Sequence, residues 1–198
     1  MKKTIISALL VCLCGVLAQG QQAPTAPGVK DQLQFSAGYM YQGSKTTFDS
    51  SRFGLNGGRA DMLVPLSQHL GLVAEFSGVH TGSVPGTGTG LTLLTYMAGP
   101  RMTMPMHRGR ETARIAPFTQ VLFGGAHGSE GLFPSGSVMH NSGNSFAMTA
   151  GGGLQVGVSR RISLRVVQAE YLYTHLPNLF DNYQNSYRIG TGVVLQLR

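Results

Sequence analysis

The chain of 198 residues has no tryptophan, two cysteines, and only eight acidic residues, and charged residues make up 12% of it. Both cysteines, Cys12 and Cys14, lie in the first twenty residues, a segment that reads as a cleaved export signal. The mature chain is then free of cysteine. That excludes disulfides, cysteine-ligated zinc and thiol catalysis together. No segment after the signal sustains a 3.6-residue apolar period, and glycine is abundant at 28 residues, which excludes a helical bundle. The composition is also too apolar for a disordered chain. The formal charge of +7 falls to +5 without Lys2 and Lys3. The remaining arginines are scattered or sit in short turns (Arg108, Arg110, Arg114; Arg160, Arg161), so no nucleic-acid footprint is expected.

The export signal has a basic start, "MKK", and an apolar stretch, "TIISALLVCLCGVLA", too short to span a bilayer as a helix. Cleavage is expected after Ala18 or Gly20. Val11 and Leu13 precede the cysteines, where lipidation requires a small residue. The expected organisation is a signal peptide over 1–20, a flexible Pro-containing lead-in over 21–31, and a single β-domain over 32–198.

Within that domain a period of two recurs, and it predicts eight strands. In order they are "QLQFSAGYMY", "LNGGRADMLVP", "LGLVAEFSGV", "TLLTYMAGPRMTM", "ARIAPFTQVLFG", "FAMTAGGGLQVG", "RISLRVVQAEYLYTHL" and "SYRIGTGVVLQL". Long and short connections alternate between them. "LSQH" and "SRR" are tight turns, whereas "HTGSVPGTGTG", "HLPNLFDNYQN" and the longest, "HGSEGLFPSGSVMHNSGNS", are loops. An even number of strands of about ten residues, with long loops at one end, predicts an all-β, eight-stranded antiparallel up-and-down transmembrane barrel. One face of the strands carries Leu, Val, Ile, Met, Tyr and Phe with almost no charge, as lipid requires; the other is built largely from Gly, Ser, Thr and Gln with a few charges. Tyr39, Tyr41, Phe76, Phe123, Phe146, Tyr171, Tyr173 and Tyr187 lie toward the long-loop end and are expected to form an interfacial aromatic belt.

The inward set inferred from the alternation is Arg59, Asp61, Glu75, Arg101, Gln120, Gln155, Gln168, Glu170 and Arg188. An eight-stranded interior is just wide enough for side chains to fill, and charges there must be paired. The three arginines and three acids of this set suffice to neutralise one another. Cross-strand pairs Glu75–Arg101 and Glu170–Arg188 are expected. Arg165 breaks the alternation. With Glu170 inward it faces out, but with Ile162 and Leu164 outward it faces in. A bulge near Val166–Val167 or a snorkelling Arg165 resolves the conflict.

The blocks "GLVAEFSG", "PFTQVLFGGAHG", "GGGLQVGVSRRISLR" and "EYLYT", in that order, resemble the OmpA-like family of small eight-stranded outer-membrane β-barrel proteins over residues 32–198. The resemblance implies that the acid of "EYLYT", Glu170, points into the lumen and the following Tyr171 to lipid. It implies outer-membrane lipid, lipopolysaccharide and the outer-membrane assembly machinery as partners, in the outer membrane of a Gram-negative bacterium. The family often ends its last strand in an aromatic residue, where this chain has Leu197 and Arg198. No peptidoglycan-binding region follows, so cell-wall tethering is not expected.

The expected role is non-enzymatic, either supporting envelope integrity or displaying surface loops. No catalytic residue, metal ligand set or cofactor is expected, and a surface ligand is not legible. A small porin-like channel is the first alternative, and a lipid A-modifying enzyme the second. For the enzyme, His140 and Ser142 form a His-x-Ser in the longest loop, resembling a deacylase barrel, but the nearest acid in sequence is Glu130. His80, His127, His140 and His175 lack a metal-ligand spacing, and "GTGTG" lacks the lysine and helix start of a phosphate loop.

Overall fold

A computed structural model describes residues 33–45, 52–85, 88–104, 106–107, 114–135, 138–159, 161–176 and 184–197, with backbone only at 106–107, 114 and 131–141. The expected signal peptide and lead-in lie outside the described residues.

Eight long strands follow one another: β1 (Leu33–Lys45), β2 (Arg52–Pro65), β3 (Leu70–Thr81), β4 (Leu91–Thr103), β5 (Arg114–Ser135), β6 (Val138–Gly157), β7 (Ile162–Thr174) and β8 (Gln184–Leu197). A two-residue strand, Met106–His107, extends the β4 side and pairs with Ile115 and Arg114 of β5. Each strand is antiparallel to its neighbours in sequence, β8 pairs with β1, and β4 with β5, so the sheet closes with no free edge. The wall is sheared. A walk that leaves β1 at Gln34 passes Leu63, Val73 and Gly99, crosses β5, continues through Thr149, Leu172 and Ser186, and returns to β1 at Ser44. This offset is what tilts the strands of a closed barrel.

The pleat sends alternate side chains outward and inward. On β8, Tyr187, Ile189, Val193, Leu195 and Leu197 are exposed, while Ser186, Arg188 and Val194 are buried. Two short turns are built alike from "LSQHL" and "VSRRI". In each, two successive amides donate to the carbonyl closing the turn (Leu66 and Ser67 to Leu70; Val158 and Ser159 to Ile162, at 2.8–2.9 Å). In each, the serine hydroxyl also accepts the amide of that closing residue, at 3.1 Å.

Two glycines on the outer wall make room for aromatic rings. A Cβ on Gly43 would run into the ring of Tyr187, its neighbour in register, and one on Gly54 into the ring of Tyr41. The two tyrosines lie 6.3 Å apart, centroid to centroid.

Three expectations are corrected. The longest expected loop is mostly strand: β5 and β6 run on as a paired hairpin to Ser135 and Val138. A register shift between Ser129 and Phe133, with Glu130 at φ 64°, lets the ladder continue through this glycine-containing stretch. β2 begins at Arg52, ahead of Leu55, the first residue of the expected strand "LNGGRADMLVP". The inward face is also not uniformly polar. Leu55, Val79, Leu93, Ala126, Ala147, Leu172 and Leu176 are buried together toward the long-loop end. Water cannot solvate that end from inside, so apolar packing there is favourable, at roughly 1.5–3 kcal/mol for each large side chain.

Candidate functional site: the barrel interior

All nine residues of the inferred inward set are buried, at 8% exposure or less. Seven of them form one bonded cluster together with Arg165 and Ser36, while Arg188 bonds a separate group of Gln42, Ser77 and Thr95. Gln155 instead lines a separate cavity of about 220 Å³ at the short-turn mouth, with Gln34, Ser67, Ser163 and Gln196.

Asp61 on β2 is the lower hub. It accepts from Arg165 Nη1 at 2.5 Å and Nη2 at 3.2 Å, from Arg101 Nη2 at 3.4 Å, and from Ser36 Oγ at 2.5 Å. Phe118, also buried, offers its ring face to both guanidinium groups, whose Cζ atoms lie 4.6 and 5.2 Å from its centroid. Glu170 on β7 is the upper hub. It is paired with Arg59 Nη1 at 3.2 Å, and Arg59 also pairs with Glu75.

Two glutamines join the hubs. Gln120 accepts from Arg101 Nε at 2.7 Å and donates to Glu170 at 2.6 Å. Gln168 accepts from Arg165 Nη1 at 2.9 Å and donates to Glu170 at 2.7 Å. An amide presents a donor and an acceptor at one end, so it can sit between a guanidinium and a carboxylate where another charge could not. Above them, Arg188 donates through Nε to Gln42 at 2.9 Å and more weakly to Ser77 and Thr95 at 3.4 Å. Among the described residues it forms no ion pair.

The expected pairs Glu75–Arg101 and Glu170–Arg188 do not form. Glu75 is opposite Met97 on β4, and Arg101 is opposite Gly71. That is a separation of about 13 Å along the strand. Glu75 is also opposite Asp61 on β2. Two acids in register repel, and each turns to a different arginine. Glu170 and Arg188 are opposite in register, yet Glu170 takes Arg59 from across the lumen, while Arg188 reaches toward the hydroxyl groups.

Arg165 is inward and 2% exposed. The register against β8 shifts between Arg165 and Gln168, and Val166 and Val167 both face outward. This is the bulge expected from the broken alternation. It adds a fourth arginine, so among the described residues the interior holds four guanidinium groups against three carboxylates. Phe118 was legible too, because it shares the inward parity of Gln120. Gln42, Ser77 and Thr95 carried no signal beyond parity.

The eight aromatic residues inferred for the outer face all point outward, with Tyr39, Phe76, Phe123, Phe146, Tyr171 and Tyr187 exposed. Tyr96, not in that set, is exposed as well and stands in register with Phe76. Ser142 is exposed, whereas the side chain of His140 lies outside those described. Among the described residues no three His, Cys, Asp or Glu side chains are placed to hold a metal ion between them.

No family model and no curated protein sequence matches the chain. Solved structures do. Neisserial surface protein A is 13% identical over 82% of this chain and 96% of its own, with a TM-score of 0.58. OprG from Pseudomonas aeruginosa is 10% identical over 85% and 96%, with a TM-score of 0.50. The Yersinia pestis attachment invasion locus protein Ail, in complex with the heparin analogue sucrose octasulfate, is 16% identical over 84% and 99%, with a TM-score of 0.50. The chain has the fold of the small eight-stranded outer-membrane β-barrel proteins.

Proposed function

We propose that this chain is an integral outer-membrane protein with a sealed barrel, a non-enzymatic scaffold that supports the envelope and displays the long-loop end. The observation that carries this reading is the filled interior. The hydrogen-bonded charges around Asp61 and Glu170 occupy the middle, and the apolar cluster of Leu55, Val79, Leu93, Leu172 and Leu176 stands above them. A hydrated ion would have to cross both. Each removes water without offering a continuous polar path, so passage is strongly disfavoured. The outward aromatic residues and their uncharged neighbours match a lipid-facing wall, with Tyr and Phe as the interfacial belt. Outer-membrane lipid, lipopolysaccharide and the assembly machinery are the partners this reading entails. The paired strands of the β5–β6 hairpin, running to Ser135 and Val138, make the display element.

Membrane fractionation with a heat-modifiability gel tests the location. The expected result is recovery with the outer membrane and a heat-dependent mobility shift; a soluble periplasmic species without that shift refutes it. Planar-bilayer recording tests the seal. Silence or rare small events are expected, and stable large conductance steps would replace the scaffold with a porin-like channel.

A further inference from the structure

The outer wall changes character above Phe76 and Tyr96. On β3 and β4 the outward positions beyond them include His80 and Thr92, and at the register break of β5 the exposed Glu130 joins them, so that the three side chains meet. His80 Nδ1 is 2.8 Å from Thr92 Oγ1. Thr92 donates to Glu130 Oε2 at 2.7 Å. Glu130 Oε2 is 3.5 Å from His80 Nδ1. Both the imidazole and the carboxylate are more than half exposed, so the cluster is open to solvent and does not contribute to the packed interior. Its bonds fix the local tautomer: Thr92 gives its proton to Glu130, so His80 Nδ1 carries a proton and donates to Thr92.

One feature sets this apart from a passing surface ion pair. Glu130 is the one non-glycine residue at positive φ among those described, at 64°. That conformation is unfavourable for a glutamate, and Gly131 stands next to it. The strained residue sits at the register shift of the β5–β6 ladder, where the bulge turns its carboxylate onto β4 and β3. The spacing, like that of other hydrogen-bonded triangles, also admits an ion. Atoms separated by 2.7, 2.8 and 3.5 Å lie on a circle of radius about 1.8 Å. A point about 1.1 Å out of their plane is therefore about 2.1 Å from all three, which is the bond length of a divalent transition metal to nitrogen and oxygen.

We propose that His80, Glu130 and Thr92 form a facial binding site for a divalent first-row metal ion of the zinc or copper type. The imidazole and carboxylate are the strong ligands, and the neutral hydroxyl is the weak third. Water fills the outward positions, which are open to solvent. On binding, the proton on His80 Nδ1 moves through solvent to Nε2, and the metal takes the freed lone pair. No net proton is released from the ring. An ion held there ties β3, β4 and β5 together at the base of the β5–β6 hairpin. The proposal does not depend on the scaffold reading, because the three residues and their spacing stand whether or not the barrel conducts.

The test is a Cu2+ titration of the full mature protein in detergent micelles, followed by electron paramagnetic resonance. Hydrogen exchange over the β5–β6 hairpin is then measured with Zn2+ and with Mg2+. The wild type is expected to take up one equivalent ahead of its remaining histidines, with a one-nitrogen signature. His80→Asn and Glu130→Gln are each expected to weaken that first equivalent at least about tenfold, while Thr92→Val weakens it less. His127→Asn is the control. His127 bonds Asn144 on the neighbouring strand at 2.7 Å and is outside the triad. Zn2+, but not Mg2+, is expected to slow exchange around Glu130. If His80→Asn and Glu130→Gln bind as the wild type does, or if His127→Asn abolishes the first equivalent, the proposal is overturned. All four side chains are exposed or partly exposed, and an unchanged heat-modifiability shift certifies that each variant is folded.

Discussion

Replacing Asp61 with alanine is the sharpest perturbation of the interior. Asp61 is the only carboxylate bonded to Arg165 and Arg101 among the described residues, and both arginines are at most 2% exposed. Removing one partner of a buried ion pair costs roughly 3–5 kcal/mol, because the charge left behind stays desolvated. Two pairs share this acid, but their losses do not add. Gln120 still accepts from Arg101, Gln168 from Arg165, and the Phe118 ring remains beside both. The expected loss for Asp61→Ala is therefore about 3–5 kcal/mol rather than twice that. It is to be measured by urea unfolding of the micelle-embedded protein, with Ser36→Ala as a control costing about 1 kcal/mol. Adding Arg165→Met to Asp61→Ala should restore a large part of the loss, since it removes one of the two stranded charges. A loss below about 1 kcal/mol, the size of an ordinary hydrogen bond, would refute the reasoning. So would a double variant no more stable than the single one.

Other predictions follow from the wall and the bulge. Deleting Val166 should restore strict alternation with Arg165 still inward beside Asp61, so the loss should stay below the roughly 3 kcal/mol of a broken buried pair; the heat-modifiability midpoint reports it. Gly43→Val should displace the Tyr187 ring and cost about 1–3 kcal/mol, most of which Gly43→Val/Tyr187→Ala should recover in the same unfolding assay. Val193→Arg, on the exposed face of β8, should cost up to about 2–4 kcal/mol in lipid, read from folding yield into vesicles. Leu93→Ser and Leu172→Ser together thin the apolar layer and should raise the frequency of small conductance events in planar bilayers. An unchanged record would show that the charged cluster seals the barrel alone.

Local pattern carried much of the architecture. A pleated strand alternates its side chains whatever it pairs with, so the inward parity of Glu170, Gln168 and Arg188 was readable from "AEY", "VQA" and "YRI". The broken parity of Arg165 likewise announced a bulge. What parity cannot carry is distance around the barrel. Arg59 meets Glu170, 111 residues away, because closure and shear bring β2 and β7 face to face across the lumen. The expected neighbours Glu75 and Arg101 are kept apart by the same shear.

The buried leucines show the same limit. Leu55, Leu93 and Leu172 share the parity of the polar interior, but a leucine in an alternating strand carries no mark of which side it seals. The cluster of His80, Thr92 and Glu130 needed a strand that continues past its expected end and a residue at positive φ. Both depend on the β5–β6 ladder, which "HGSEGLFPSGSVMHNSGNS" does not reveal. By itself, then, the sequence determined that this is a closed sheet with one face for lipid, because period and apolarity are local. Only the tertiary structure decided which charges meet inside it, because that depends on the shear at which eight strands close.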